Sequence, residues 1–391
     1  MSKGPDERQA AEDYRRQRQA ANAARQGGGR TAEATMQWLR DNRPTLLEIC
    51  KRSGVADDKL ESMADEFIRA LAERPPGSAL DDPGATRILQ GIIDRIEAAC
   101  GKIAFPLRGG VVFGNSVGAG LIARQLPVLA TDVSIIETTL PFLIFCDLVS
   151  KVIVHSLPEP RCDKGGSHFE FNAAEVRTRL QSERWILSQW VSILVRYAVF
   201  GTPPKDLGVA PQAARQYLRG KLLDAMEVFA IAHEYGHHSL SHGLTTSMGE
   251  ECDLLADEHE ADMFARGMSL VIGQSEGEFF LFSGAGGALI LGAIELVSRT
   301  RAVLSTGTDD LPLSRTHPSV TDRIKLMDRQ DLEHLPNETA EEYIGIRQAF
   351  SDVLKAVWAE AKPAVQSFHT EGLRPIDNVK SPTDWLPFIS E

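Results

Sequence analysis

The stretch "AIAHEYGHHSLSHG", residues 230–243, gathers four of the chain's ten histidines into ten positions of a helical segment. Just upstream, Leu222, Met226, Phe229 and Ala230 recur at three- and four-residue steps, the pattern of a helix with one buried face. His233 and His237 lie one turn apart on that helix, with side chains rooted about 6 Å from each other. Two imidazoles placed so can share one metal ion. Glu234 stands one step round the helix, beside such an ion rather than on it, where it can take a proton from water. Gly236 leaves room for a neighbouring element to pack close. By composition alone an HExxH pentapeptide turns up on the order of once in a hundred chains of this length, so a third ligand has to decide the matter.

The spacing HExxHxxGxxH would supply that ligand from the same segment, but position 240 is Leu and position 243 is Gly. The other solution is a carboxylate from a second helix. "EECDLLADEHEADMFARG" (250–267) carries seven carboxylates. Glu258 and Asp262 share a helix face there. Glu258 can complete a His2Glu site that keeps its fourth position for water. Asp262, one turn on, can accept a hydrogen bond from a ligand histidine and hold its ring. Asp257 and Glu260 are alternative ligands that point away from the Asp262 face. The bland reading is an acidic, solvated helix surface.

The remaining sequence limits the setting. A chain of 391 residues, 43% hydrophobic and 25% charged, can build a sizeable core. Its net charge of −12 argues against nucleic acid or an anionic membrane as the main partner. The apolar runs at 140–154 and 279–294 are too short or too interrupted to span a bilayer. The small residues of the second suit close helix packing. Five scattered cysteines, with no CxxC pair, suit a reducing compartment. The N-terminus has no secretory h-region. Together these features predict a soluble cytoplasmic protein.

Periodicity predicts a mainly α chain with a small β-sheet, of the α+β class. Residues 1–30 read as a flexible charged arm. Residues 31–210 read as a helical region with short strands, contributing to the cleft from about 103. Residues 211–335 form the candidate core of the site, and 336–391 a final helix and tail. Helices are expected at about 33–53, 57–73, 84–99, 173–199, 212–241, 249–272, 278–298, from 319, and at 339–360. Strands are expected in "VVFGN" and "LPVLATDVSII". Asp82 and Asn172 are expected N-caps. Trp385, Leu386 and Phe388 are expected to dock the tail.

Three segments together resemble a known family. HEYGH (233–237), the E-x-x-A-D-x-x-A pattern from Glu258 to Ala265, and "THPSVTDRIKLM" (316–327) are similar in content and order to the motifs of the gluzincin metallopeptidases of the HtpX and CAAX-prenyl endopeptidase group. The likeness covers about 220–330. It implies a zincin-like core in which His233, His237 and Glu258 bind Zn2+ and Glu234 acts as general base and then general acid. It further implies that His317 steadies the oxyanion, with Arg323 alongside to orient it. "FGNSVGAG" (113–120) resembles the Asn-bearing edge strand that precedes the active-site helix in such enzymes. The familiar members carry transmembrane helices, and none is evident here. A weaker likeness is to the phage-exclusion peptidase Lit.

The resulting expectation is a zinc-dependent endopeptidase acting on a protein or peptide, held latent or regulated by a protein partner through its N-terminal half. The rival is a non-catalytic, metal-stabilised interaction or sensor protein. His238 and His242, a second pair four apart, read as a polar helix face. Cys162, in "EPRCDKGGSH" (159–168), reads as a loop cysteine, although a thiolate can in principle cap an open zinc position.

Overall fold

A computed structural model describes residues 5–376 except 27, 53–54, 74–76, 160, 164–165, 169–170, 206–210, 212, 244–253 and 312–316; at 5, 52, 161–163, 166–168 and 213–214 it describes the backbone alone. The first part of the chain forms α1 (Pro5–Arg25), α2 (Ala32–Asp41), α3 (Arg43–Arg52), α4 (Leu60–Ala72) and α5 (Pro83–Lys102). A small β region follows: β1 (Val111–Ser116), β2 (Ala123–Pro127) and β3 (Ser134–Thr139). Then come α6 (Leu140–Ser156), the short strands β4 (Arg161–Asp163) and β5 (Gly166–His168), α7 (Ala173–Ser182) and α8 (Arg184–Phe200). The last part is helical throughout: α9 (Ala213–Ser239), α10 (Leu254–Glu276), α11 (Phe279–Phe282), α12 (Ala285–Thr306), α13 (Val320–His334) and α14 (Asn337–Thr370). The chain is mainly α with a small mixed sheet.

Local chemistry accounts for most boundaries. Asp82 Oδ1 accepts from the backbone N–H of Gly84 at 2.9 Å and of Ala85 at 3.0 Å, and Pro83 opens the first turn of α5. Asn172 caps α7 in the same way, through Ala174 N–H at 2.9 Å. The helix expected over 173–199 is two helices. Glu183 leaves helical geometry at φ −107°, ψ 72°, and Arg179 braces the joint by pairing with Glu183 at 3.2 Å and Glu159 at 3.0 Å. The helix expected over 278–298 likewise breaks, at Gly284 with φ +72°. The one expected over 339–360 runs on to Thr370, with Pro363 inside it. Among the described residues no helix is long and apolar enough to cross a membrane. Trp385, Leu386 and Phe388 lie outside the described residues.

In the sheet β3 is central, parallel to β1 (Val111↔Ser134) and antiparallel to β2 (Ala123↔Thr138). The principal hydrophobic core runs from Ala85 on α5 to Val365 on α14. It therefore crosses the boundaries expected at 210 and 335, and the segments on either side share one interior. At its centre lies α9, buried from Val228 to Ala232 and again at Tyr235. α12 approaches it very closely: a Cβ on Gly286 would stand 2.0 Å from the Ala225 carbonyl oxygen.

The expected flexible arm is a docked helix. Arg15 of α1 is buried and grips Asp81 through both nitrogens of its fork, at 2.8 and 2.6 Å. Gln19 donates to Asp81 at 2.9 Å and to the Asn115 carbonyl of β1 at 2.6 Å. Ala11 packs with Val112, Val133 and Ile135 of the sheet. The polar composition of residues 1–30 conceals this, because the partner of Arg15 stands 66 residues away. Breaking a buried ion pair from one side costs about 3–5 kcal/mol. Arg15→Ala should lower the unfolding free energy by about that amount in urea denaturation; an unchanged midpoint would show that α1 contributes no such anchor.

Candidate metal centre

The two histidines of the HExxH segment stand near the C-terminal end of α9, and Glu258 stands near the start of α10. What brings the helices together is Gly236. A Cβ there would sit 3.1 Å from both the Ala261 Cα and the Phe264 Cβ of α10. With no side chain in the way, α10 lies directly against the last turns of α9. The donor atoms of three side chains then converge. His233 Nε2 is 3.2 Å from His237 Nε2 and 3.4 Å from Glu258 Oε2, and His237 Nε2 is 3.5 Å from Glu258 Oε1. His233, His237 and Glu258 form a largely buried group able to hold a metal ion. Asp257 and Glu260, the alternative carboxylates, turn instead to His242, at 3.7 and 3.2 Å.

The donors suit a small divalent ion. A tetrahedral site with bonds of 2.0–2.1 Å has edges of about 3.3–3.4 Å, close to the 3.2 Å between the two imidazole nitrogens and to the distance from each nitrogen to its nearer Glu258 oxygen. Glu258 Oε2 is buried with no well-formed hydrogen bond, its near neighbours being His233 Nε2 at 3.4 Å and Arg323 Nη2 at 3.9 Å, and a bound metal ion would complete its pairing. The imidazoles are also oriented from behind. His233 Nδ1 lies 3.0 Å from Asp262 Oδ1, so its Nδ1–H points at the carboxylate and its Nε2 lone pair faces the group. His237 Nδ1 lies 2.9 Å from His242 Nδ1, while His242 Nε2 lies 3.2 Å from Glu260. The tautomers that satisfy this chain place the proton of His242 on Nε2 and that of His237 on Nδ1. The two Nε2 atoms then face each other at 3.2 Å, a contact that either a proton on His233 or a shared metal ion would satisfy.

Arg323, on α13, is buried and forks onto Asp262, with Nε to Oδ2 at 2.6 Å and Nη2 to Oδ1 at 2.7 Å. Its Nη2 is also 3.9 Å from Glu258 Oε2. α13 is set by Ser319, whose hydroxyl accepts from Asp322 N–H at 3.1 Å and donates to the Asp322 carboxylate at 2.7 Å. His317, just before that cap, places Nε2 3.7 Å from Glu258 Oε1. Beside His317 and Arg323 opens a cavity of about 630 Å³, whose apolar walls include Leu291 and Ile294 of α12. Glu234 is buried next to the group and contributes to the field on Arg323.

The electrostatics follow from this crowding. Burial alone would depress His233, but the carboxylates of Asp262 and Glu258 outweigh it and raise its pKa to about 10. Burial would raise Glu258 and Asp262; their histidine and arginine neighbours reverse that and hold both well below the usual carboxylate range. Burial lowers His317, with Glu258 opposing and Arg323 reinforcing the shift.

Two expectations need correction. His238 and His242 are not a solvated helix face. His238 is fully buried, with Nδ1 2.9 Å from Ser134 Oγ of β3; burial first, and then nearby Arg108, push its pKa down to about 4. His242 lies beyond the end of α9, where Ser241 turns the chain with φ +66° and folds the ring back onto His237. Helical spacing cannot place residues 237 and 242 together; only the turn does, and the Ser-His-Gly stop was its faint signal. Second, Asn115 does not lie on an edge open to a peptide. Its side chain accepts from Asp82 N–H and α1 covers β1. The edge strand that lies against α9 is β2. Cys162 lies in β4, and its side chain is outside the described residues.

If Asp262 positions His233, replacing it by Asn should weaken metal binding by about 10–100-fold, read by competition with a chromophoric chelator; unchanged affinity would remove Asp262 from the site. No family model matches the chain, and no curated protein or solved structure matches it either.

Proposed function

We propose that this chain is a zinc-dependent endopeptidase of the gluzincin type, with a zincin-like catalytic core built on α9 and α10. The observation that carries the reading is the convergence of the His233 and His237 Nε2 atoms, 3.2 Å apart, on the two oxygens of Glu258, at 3.4 and 3.5 Å, with the buried Glu234 next to His233 in the same turn of α9. Two imidazoles and one carboxylate are a donor set suited to zinc among the divalent ions. A zinc ion held there would supply Lewis acidity to a carbonyl and make water acidic enough to ionise near neutral pH.

The chain's own groups do the rest. Glu234 takes the proton of the attacking water and returns it to the leaving amine, the double role that peptide hydrolysis requires of one base. His317, with its pKa lowered, is neutral near pH 7 and offers an N–H to the oxyanion that develops on the carbonyl. Arg323 acts at one remove: its fork fixes Asp262, and Asp262 fixes the His233 ring. An extended peptide backbone would add beside β2, the outer strand that lies against α9. The cavity beside His317 has room for a substrate side chain. An interaction protein that used the metal only as a clip would need neither Glu234 nor His317.

Glu234→Gln keeps the shape of the side chain and removes the base. Metal content, measured by mass spectrometry, should be unchanged, while cleavage of a proteome-derived peptide library should fall by about 10²–10⁴-fold. A variant that still cuts at the parent rate would overturn the assignment. A parent protein that binds zinc and cuts nothing in the library would favour the clip.

A further inference from the structure

On the other flank of α9, away from the histidines, a pocket of about 750 Å³ opens between α3, α4, α5 and α9. Its walls are apolar, and Ile49, Met63, Phe67 and Ile88, all exposed large hydrophobic side chains, face it. That size and lining are those of a small-molecule site. At its inner end stands Glu227 of α9. This residue is only 8% exposed, lines the pocket and has no hydrogen-bond partner among the described residues. A buried carboxyl without a partner is costly and calls for a ligand to satisfy it.

The surrounding charges say what kind. Two cations line the pocket: Arg87 is exposed, and Arg95 is engaged by a fork that meets Asp224 at 2.7 and 3.1 Å and Glu276 at 2.9 and 2.7 Å. Arg219 lies within electrostatic reach of Glu227 but is paired with Asp147. Among the described residues no cation is paired with Glu227, and Asp224 and Asp147 add negative charge nearby. Burial, together with Asp224 and Asp147, raises its pKa to about 8, the behaviour of an acid that lacks a cation.

We propose that this pocket binds an amphiphilic amine, an apolar body that fills the space between α3, α4 and α5 with a single protonated amine that pairs with Glu227. The apolar body covers hydrophobic surface that otherwise meets water. The ammonium supplies the missing charge and donates to the carboxylate. A fatty acid would instead bring an anion to an acidic floor, and an alcohol would bring no cation, so that burial keeps the Glu227 carboxyl protonated and no ion pair forms. The inference is independent of the peptidase reading.

Calorimetric titration of the full chain with decylamine, decanol and decanoate, each below its micelle concentration, tests it. Decylamine should bind saturably at one site and at least tenfold more tightly than either of the others. Glu227→Gln should weaken decylamine at least tenfold and leave decanol unchanged. Gly91 lines the pocket on α5, at a position where a Cβ meets nothing within 4 Å. Gly91→Leu should therefore project a side chain into the cavity and weaken all three at least tenfold, which also separates this site from amine capture by a metal. Equal affinities for the three ligands, no saturable binding, or decylamine binding indifferent to both substitutions would overturn the proposal. The ranking of ligands on the parent protein decides the matter even if a variant fails to fold.

Discussion

The site depends on one buried carboxylate. Asp262 is fully enclosed, and its two oxygens are shared between the Arg323 fork and the Nδ1 of His233. Burying an aspartate and an arginine is expensive, and the pair is tolerable only because each hydrogen-bonding position is filled. The arrangement ties three helices that are remote in sequence, α9, α10 and α13, through one set of atoms. It also propagates order inward. Because Asp262 cannot turn, the His233 ring cannot turn, and its Nε2 stays aimed at His237 and Glu258. The close seating of α10 on α9 at Gly236 makes the geometry reachable, and the charge pair makes it rigid.

How much of this could be read from residues alone follows from the range of each interaction. The pairing of His233 with His237, and of Glu258 with Asp262, is a consequence of helical pitch, so local spacing reveals it. The helix caps at Asp82 and Asn172 are equally local and equally legible. The convergence of the two helices is not local, and pattern could only suggest it. His242 escaped because a left-handed residue at Ser241, rather than a helical repeat, brings its ring to His237. The docking of α1 escaped because a charged, alanine-rich segment looks the same whether it floats in water or sends one arginine into the interior. The break at Glu183 escaped because the residues on both sides are good helix formers, and the brace that stabilises it comes from Arg179 and the distant Glu159.

α9 is the spine on which these features hang. Its centre is wholly apolar and lies in the core, pressed by α12 at Gly286. One end presents the imidazole pair, and an earlier turn presents Glu227 to a different surface. Six residues separate Glu227 from His233, about 9 Å along the axis. Both ends are thus carried by a single stiff rod with little freedom to shift laterally. A displacement imposed at one end would be felt at the other as a rigid-body movement rather than lost in side-chain rearrangement.

The brevity of β2 has a consequence for neighbours in solution. The outer strand of a sheet is a template beside which an extended chain can add, including another copy of the same protein. Here the strand is five residues long, ends in a proline that has no amide hydrogen to offer, and bears an arginine held by Glu137 at 2.8 Å. Such a flank gives too few main-chain contacts for indiscriminate stacking into fibrils. A guest must draw the rest of its attachment from side-chain fit, and that favours selective company over self-association.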